Sequence, residues 1–378
     1  MSQGLEGIVA ASTRLSEVDG AGGRLTIAGY AVEDLAPHAT FEEVVYLLLH
    51  GTLPTAMEQR RFAHELSRRR SVPAIVTRVL QHAAAAGAPP IDALRMASPL
   101  LSIGRDEDPL NDAMTAIASF PTIVGSYAHL LRGERPVPVR EELSHVGHYL
   151  HQLFGLVPSS EQVRAMETYL NTVCDHGFNA STFTARVIAS TRSDVISAIT
   201  GAVGALKGPL HGGAPGPALD MVFAIGSADR AERVIQAKLD RGERIMGFGH
   251  RVYRVRDPRA DVLAQAAERF YTRDGDRGLY DLARAVETTA LRLLRAHTPD
   301  RRLDTNVEFY TALLLHGLGL STNLFTATFA VGRVAGWSAH SLEQLREGRL
   351  IRPESNYVGP TGLHYTDSRQ AEARPVLH

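Results

Sequence analysis

Two histidines that stand beside glycines are the residues of this sequence best suited to chemistry on a small molecule. They are His211, in the run GPLHGG at 208–213, and His250, in the run GFGHRVYRVRDPR at 247–259. Glycine lets backbone and substrate approach closely because it has no Cβ, and histidine can hold or move a proton near neutral pH. Arginines follow His250 at four positions: Arg251, Arg254, Arg256 and Arg259. Guanidinium groups bind carboxylates and phosphates, so this stretch suggests an enzyme that acts on an anionic small molecule.

A structural interpretation stands beside each functional one. His211 fits a histidine at a helix end, where its ring fills space or caps a carbonyl group, and the arginine run fits a solvated helix face. Glu308, in Asn306-Val307-Glu308-Phe309, opens a strongly apolar segment. It fits a charge that offsets a helix dipole, and equally a general base whose pKa is raised by dry surroundings. Taken singly, these residues leave both interpretations open.

Other recognised chemistries lack support. His145, His148 and His151 recur every three residues, a spacing that drifts around a helix, and no HExxH or carboxylate pattern accompanies them, so no metal site is predicted. The sequence contains no GxxxxGK[ST] phosphate loop, no GxGxxG after a strand and no GxSxG elbow. That argues against P-loop phosphoryl transfer, a Rossmann dehydrogenase and an α/β-hydrolase.

Composition sets the remaining limits. With 378 residues, 40 Lys+Arg and 41 Asp+Glu, the chain has room for a large core and no global field that favours nucleic acid or an anionic membrane. No apolar run reaches the roughly 18 residues of a membrane span. The single cysteine, Cys174, excludes an internal disulfide framework. Because the start of the sequence lacks the pattern of a secretory signal, we predict a cytoplasmic location.

The elements that must position these side chains are predicted to be mainly helical. A β hairpin is predicted within residues 4–30, around Gly20–Gly23. Apolar periodicity predicts helices at 41–49, 194–206, 260–270 and 279–294, two buried helices between 309 and 340, and a helix that Ser159 and Gln162 open with a capping box. Gly-Pro-rich runs at 208–217 and 317–323 are candidate hinges. We therefore predict a large helical domain at 1–213 and 324–378 and a small domain at 214–323.

Taken together, segments along nearly the whole chain resemble the citrate synthase family. The resemblance is carried by Gly4–Gly7, Asp19-Gly20, FEEVVYLLLHGTLP at 41–54, HGFNASTF at 176–183, GPLHGG at 208–213, GFGHRVYRVRDPR at 247–259, Asn306–Tyr310 and RLIRP at 349–353. Any one of these motifs is weak. Their order and spacing along the chain make the signal strong.

The resemblance implies a fold, an assembly and a reaction. The fold is a mostly α-helical, two-domain architecture with a small N-terminal β element, in which the small domain closes over the substrates. The assembly is a homodimer. The reaction is condensation of acetyl-CoA with oxaloacetate followed by thioester hydrolysis, with no metal or redox cofactor and no nucleic-acid or membrane partner.

Roles for individual residues also follow from the resemblance. Glu308 stands at the general base, His211 at the donor to the thioester oxygen, and His250 at the group that polarises the oxaloacetate ketone. Four further residues match those that hold the oxaloacetate carboxylates: His176, Arg259, Arg333 and, from the partner subunit, Arg352. Arg254 matches a contact to a CoA phosphate, while Arg251 and Arg256 match no role.

Two departures from the family pattern bear on the activity. Glu308 stands where an aspartate is commoner, and Pro215-Gly216 stands where most members have Asn-Glu. We interpret Glu308 as a variant base. The catalytic set equally fits a 2-methylcitrate synthase that uses propionyl-CoA. The departures also leave open a weakly active paralogue that binds CoA or citrate.

Overall fold

The computed structural model describes residues 4–5, 7–104, 108–212, 215–249, 253, 255–299, 303–363 and 365. Within these ranges the chain forms α-helices and one small sheet. The prediction of a mainly α-helical protein is therefore confirmed.

The N-terminal hairpin is present but shorter than the segment in which it was predicted. The sheet consists of β1 (Ser16–Asp19), β2 (Arg24–Ile27) and β3 (Tyr30–Ala31), antiparallel in the order β1-β2-β3. In the β1–β2 turn, Asp19 Oδ1 accepts the backbone N–H groups of Ala21 at 3.1 Å and Gly22 at 2.7 Å. An aspartate side chain that satisfies turn N–H groups in this way favours a tight connection.

The helices lie along the rest of the described chain. In order they are α1 (Val32–Leu35), α2 (Phe41–His50), α3 (Ala56–Ser67), α4 (Ala74–Ala85), α5 (Pro90–Ala97), α6 (Pro109–Leu131), α7 (His145–Phe154), α8 (Ser160–Val173), α9 (Ala180–Ser190), α10 (Val195–Leu206), α11 (Pro215–Ile225), α12 (Ala228–Asp240), α13 (Pro258–Arg273), α14 (Arg277–His297), α15 (Val307–Gly317) and α16 (Phe325–Glu347). Short 3₁₀ turns occupy Ser98–Ser102 and Thr322–Leu324.

Local sequence signals set several helix ends. The capping box predicted at Ser159 and Gln162 is formed at the start of α8, so two N–H groups that the helix would otherwise leave unpaired are satisfied. Helix α2 ends at Gly51, whose φ of 83° is a conformation that glycine adopts at low cost. The two buried helices predicted between 309 and 340 are α15 and α16, and the break between them falls at 318–324.

Helix α16 is the central element of the core. It packs against α6, α8, α9 and α10. Gly332 and Gly336 allow it to lie very close to the end of α8, since a Cβ at Gly336 would be 2.3 Å from the Cys174 carbonyl oxygen. Arg333 stands between the two glycines. The close contact therefore places it against Val173, at the end of α8 and three residues before His176.

Helices α11–α15 pack largely on one another. Contacts join α11 to α15, α12 to α14 and α13 to α15, while α13 and α15 also reach α8. The predicted small domain corresponds in sequence to these five helices. The division into two domains stays a prediction.

Candidate active site

His211 lies in a tight turn that follows α10. Its backbone N–H donates to Gly208 O at 2.9 Å, and Thr326 Oγ1 of α16 donates to Gly212 O at 2.8 Å. A side chain at position 212 would meet Leu206 O, 2.3 Å from an added Cβ. The turn is thus held against both helices, which fixes the direction of the His211 ring.

The His211 ring is neutral and anchored at one nitrogen. Its Nε2 lies 2.7 Å from Ser181 Oγ, which also accepts the Trp337 Nε1–H at 3.0 Å. The Ser181 hydroxyl hydrogen has a second acceptor within reach, Asn179 Oδ1 at 2.8 Å. Burial, reinforced by the positive charge of Arg333, lowers the pKa of His211 to about 4. At neutral pH the ring therefore carries one N–H, and Nδ1 is the nitrogen left for a substrate.

Two paired segments, 247–249 and 304–306, bring the chain before His250 next to the chain before Glu308. Phe248 and Thr305 form an antiparallel bridge, and Asn306 Nδ2 donates to Gly249 O at 2.9 Å. Gly247 has a φ of 87°, and a Cβ there would lie 2.9 Å from the Phe309 ring. This pairing therefore requires glycine at position 247.

Glu308 lies in the first turn of α15. Asn306 caps that helix by accepting the Glu308 N–H at 3.0 Å, so the carboxylate projects from a fixed helix start. Burial raises the pKa of Glu308, Arg259 opposes the rise and Asp257 adds to it. A carboxylate whose basicity is raised in this way is suited to accept a proton. Glu308 also lies at the positive end of the helix dipole, and its role as a base stays a prediction.

Arg259 is a buried cation held rigidly by Asp257. Its Nε donates to Asp257 Oδ1 at 3.0 Å and its Nη2 to Asp257 Oδ2 at 2.8 Å. Burial opposes the charge of Arg259, but the Asp257 carboxylate outweighs it and the pKa of Arg259 is raised. The guanidinium also lies 5.8 Å from the centre of the Tyr253 ring. A bidentate pair of this kind fixes both the position and the plane of the guanidinium.

Arg333 is a second buried cation, 1% exposed. Its Nε donates to Val173 O at 2.5 Å, and no carboxylate of the described residues forms an ion pair with it. Burial lowers the pKa of Arg333 to about 10; the negative charge of Asp175 opposes this and the positive charge of Arg259 adds to it. The group stays charged at neutral pH. A buried guanidinium without a paired carboxylate among the described residues is suited to receive one from a substrate.

His176 lies in the turn between α8 and α9, and a buried network beside it holds this turn. Ser16 Oγ of β1 donates to Asp175 Oδ2 at 2.5 Å and accepts the Gly177 N–H at 2.8 Å. Burial works against the charge of Asp175, but His340 and Ser16 keep its pKa lowered. His176 Nε2 itself lies 3.1 Å from the Tyr253 hydroxyl.

Electrostatic contacts show which candidate residues the fold brings together. The positive charge of Arg333 lowers the pKa of His211, and the positive charge of Arg259 lowers the pKa of Arg333. The charge of Arg259 also opposes the rise in the pKa of Glu308. His176 and Arg259 both contact Tyr253, so each of the five candidates is linked to another of the set. It combines a neutral imidazole, a carboxylate of raised pKa and two buried guanidinium groups.

Two further candidates, His250 and Arg254, lie outside the described residues. One described candidate does not join this cluster. Arg352 follows α16, is exposed and, within the described chain, forms no hydrogen bond or ion pair with the cluster. It lines a separate cleft of about 580 Å³ together with Ile8 and Gln344.

Several residues of the site were not predicted from the sequence. Ser181 contacts His211 and accepts a hydrogen bond from Trp337, while Tyr253 contacts both His176 and Arg259. Asp257 carried a usable signal, because an aspartate followed by Pro258 is typical of a helix N-terminus. Asn179 stands in the run HGFNASTF without an assigned role, and in the structure it caps α9.

The three spaced histidines of α7 are buried side chains of the core. His145 stacks on Phe41 with ring centres 5.0 Å apart, and His148 Nε2 lies 3.0 Å from Thr122 Oγ1. No group of three or more metal-ligating side chains with suitable geometry occurs among the described residues. In the same part of the chain, no helix is long and apolar enough to cross a membrane.

A mainly helical fold around a carboxylate base candidate, a neutral imidazole and buried guanidinium groups defines an enzyme for small anionic substrates. The chain belongs to the citrate synthase family, a family of acyltransferases: the family model described as "Citrate synthase, C-terminal domain" matches residues 4–354. It is 39% identical over 366 residues to citrate synthase 2 of Bacillus subtilis, covering 95% of this chain and 96% of that protein. It is 38% identical to a 2-methylcitrate synthase of Shewanella oneidensis, covering 94% of each.

Solved structures agree with this assignment. Citrate synthase from Thermoplasma acidophilum, determined as a ternary complex with carboxymethyl coenzyme A and oxaloacetate, superimposes with a TM-score of 0.86 at 30% identity. The match covers 98% of this chain and 99% of that one. The predicted citrate-synthase-like fold is thereby confirmed.

Proposed function

We propose that the chain is a citrate synthase, which condenses acetyl-CoA with oxaloacetate and then hydrolyses the thioester to citrate and CoA. One observation carries the proposal: a buried carboxylate of raised pKa and a neutral histidine share a region with two buried guanidinium groups. That set matches the needs of the reaction, which are a base, a hydrogen-bond donor and a receptor for a dicarboxylate.

Enolisation of the thioester is the first step. The α-proton is weakly acidic, so a carboxylate removes it only when a donor stabilises the oxygen that gains charge. We assign proton removal to Glu308 and the donor to His211. We assign to His211 the tautomer with its N–H at Nδ1, where it faces the substrate. In that tautomer the Ser181 hydroxyl hydrogen is donated to Nε2 of His211 in place of Asn179 Oδ1.

Carbon–carbon bond formation requires oxaloacetate to be held close to the enol. We assign its carboxylates to His176, Arg259 and Arg333, and polarisation of its ketone to His250. Guanidinium groups fixed in place restrict the rotation of the substrate. The enol carbon attacks the ketone carbon, and water then cleaves the resulting citryl thioester to release CoA. These steps need no metal or redox cofactor.

CoA binding and closure follow from the same proposal. Arg254 contacts a CoA phosphate, and the small domain at 214–323 closes over the large domain at 1–213 and 324–378. Closure excludes water until the carbon–carbon bond has formed, which protects the thioester.

We also propose a homodimer in which Arg352 reaches the partner's site. In the described chain Arg352 is exposed and forms no bond with the candidate cluster, although the resemblance assigns it to oxaloacetate. Leu350, Tyr357 and Val358 near it expose apolar side chains, which supports contact with a second copy. A cytoplasmic location stays a prediction from the sequence.

The alternative is a 2-methylcitrate synthase, which the Shewanella relative favours. One extra methylene in a pocket is worth only about 1–3 kcal/mol of discrimination, so the same residues serve both reactions. The test is release of CoA, detected with a thiol reagent, from acetyl-CoA and propionyl-CoA in parallel with oxaloacetate. We expect the higher kcat/KM with acetyl-CoA. A higher value with propionyl-CoA would establish the alternative, and no release by folded protein would exclude both.

A further inference from the structure

We propose that Glu287 of α14 is a positioning residue that fixes the distance of Glu308 from the substrate. This inference rests on the proposed function. Glu287 has no role in the reaction outlined above, and its sequence position on an amphipathic helix gives no hint of one.

Four donors converge on the Glu287 carboxylate, which is 2% exposed. Its Oε1 accepts Thr305 Oγ1 at 2.6 Å and Arg256 Nη1 at 3.2 Å. Its Oε2 accepts the Tyr310 hydroxyl at 2.5 Å and Arg284 Nη1 at 2.6 Å. Each carboxylate oxygen thus has two partners, which is what a buried charge requires.

Two of these donors stand on either side of the proposed base. Thr305 precedes Glu308 by three residues and Tyr310 follows it by two, so Glu287 holds the segment at both ends. Thr305 is also bridged to Phe248 of the paired segments. Through one carboxylate, α14 therefore fixes the start of α15 and, less directly, the chain that leads to His250.

The same contacts account for Arg256. Its Nε donates to Asp261 at 2.5 Å, while its Nη1 donates to Glu287. Arg256 is therefore engaged by two carboxylates of the protein. Through these two contacts Arg256 connects residues 255–257 to α14, the helix that positions the base.

A small movement of the base has a large effect on rate. A displacement of about 1 Å costs on the order of a hundredfold when nothing compensates. Glu308 projects from the start of α15, so a shift of that helix start moves its carboxylate as well.

The test compares Glu287→Gln with the wild-type enzyme. Glutamine keeps the shape of the Glu287 side chain but carries no charge. Its NH2 group would stand where one carboxylate oxygen now accepts two hydrogen bonds. We expect kcat with acetyl-CoA to fall about tenfold or more, while KM for oxaloacetate changes by less than about threefold. The primary isotope effect on kcat with trideuteroacetyl-CoA should rise, because proton transfer becomes more rate-limiting.

Glu232→Gln is the matched control. Glu232 lies on α12 and forms an ion pair with Arg292 of α14 at 2.8 Å, and both side chains are exposed. The values of kcat and of the isotope effect should therefore stay at those of the wild-type enzyme. If Glu287→Gln does not fold, Thr305→Val removes one hydrogen bond to Glu287, and Tyr310→Phe removes the bond to Glu287 together with the one that the hydroxyl accepts from Arg284. Each variant should lower kcat and raise the isotope effect. Unchanged kcat and isotope effect in the folded variants would overturn the inference. Failure of the wild-type enzyme to release CoA would instead overturn the proposed function.

Discussion

At the scale of single residues, the Glu308 carboxylate is more basic than an ordinary glutamate. Burial raises its pKa above 4.5, and a base acts only when it is ionised. We therefore predict that kcat/KM falls as the pH is lowered through a value above 4.5. The pKa of His211 is lowered to about 4, so that ring gains its proton at lower pH than the Glu308 carboxylate does. A pH profile with circular dichroism at each point checks this, and full activity in folded enzyme at pH 4.5 would contradict it.

The sequence made some residues of the site recognisable and concealed others. His211, Glu308 and Arg259 stand in motifs whose glycine, asparagine or proline neighbours indicate a constrained backbone. Ser181 and Tyr253 also stand in motifs, but the sequence did not indicate a role for either because their partners are distant in the chain. Ser181 lies 30 residues from His211 and Tyr253 lies 77 from His176. Only the packing of α9, α10 and α13 around α16 and α8 creates these contacts.

At the scale of elements, the close packing of α16 on α8 is what places Arg333 beside the site. We predict that Gly336→Ala destabilises the protein by about 1–3 kcal/mol, because the added Cβ would lie 2.3 Å from Cys174 O. KM for oxaloacetate should rise as Arg333 shifts. Thermal unfolding and kinetics check both effects.

Gly204→Ala on α10 is the control for that substitution. The nearest atom to its added Cβ is Arg95 Cδ at 3.8 Å, so the change should be neutral or stabilise the helix by up to about 1 kcal/mol. Equal effects of the two substitutions would mean that the close contact does not limit stability.

Some of the predicted helices carried a clear local signal in the sequence. Helix α8 has its capping box and α14 its apolar stripe. Helix α6 was not predicted, because it is buried on nearly all sides and includes Pro121. A helix surrounded by core shows no alternation of polar and apolar residues to read, so its identity depends on tertiary packing.

At the scale of the whole molecule, the proposed dimer makes each active site depend on two chains. We predict that Arg352→Ala and Glu308→Gln are each nearly inactive as homodimers, yet recover activity when mixed dimers form. In a mixed dimer one site has Glu308 from the first chain and Arg352 from the second. Co-expression with two affinity tags, followed by the CoA-release assay, checks this. Mixed dimers no more active than the parents would place Arg352 in its own subunit's site.

The assembly and the domain division stay predictions, because both concern surfaces that residue patterns do not identify. The exposed side chains of Leu350 and Val358 are apolar, but the sequence alone does not distinguish such residues from core. The hinge positions at 208–217 and 317–323 were predicted from Gly and Pro content, which indicates turns and not motion.

The most direct test of the proposed function compares CoA release from acetyl-CoA and oxaloacetate by wild-type enzyme and by Glu308→Gln. Oxaloacetate binding is measured on both proteins by calorimetry. The amide keeps the shape of the base but cannot accept the α-proton, so turnover should be nearly abolished while oxaloacetate binds as before. Retained turnover in Glu308→Gln would remove Glu308 from the role of base, and absence of turnover in folded wild-type dimer would contradict the assignment as a synthase.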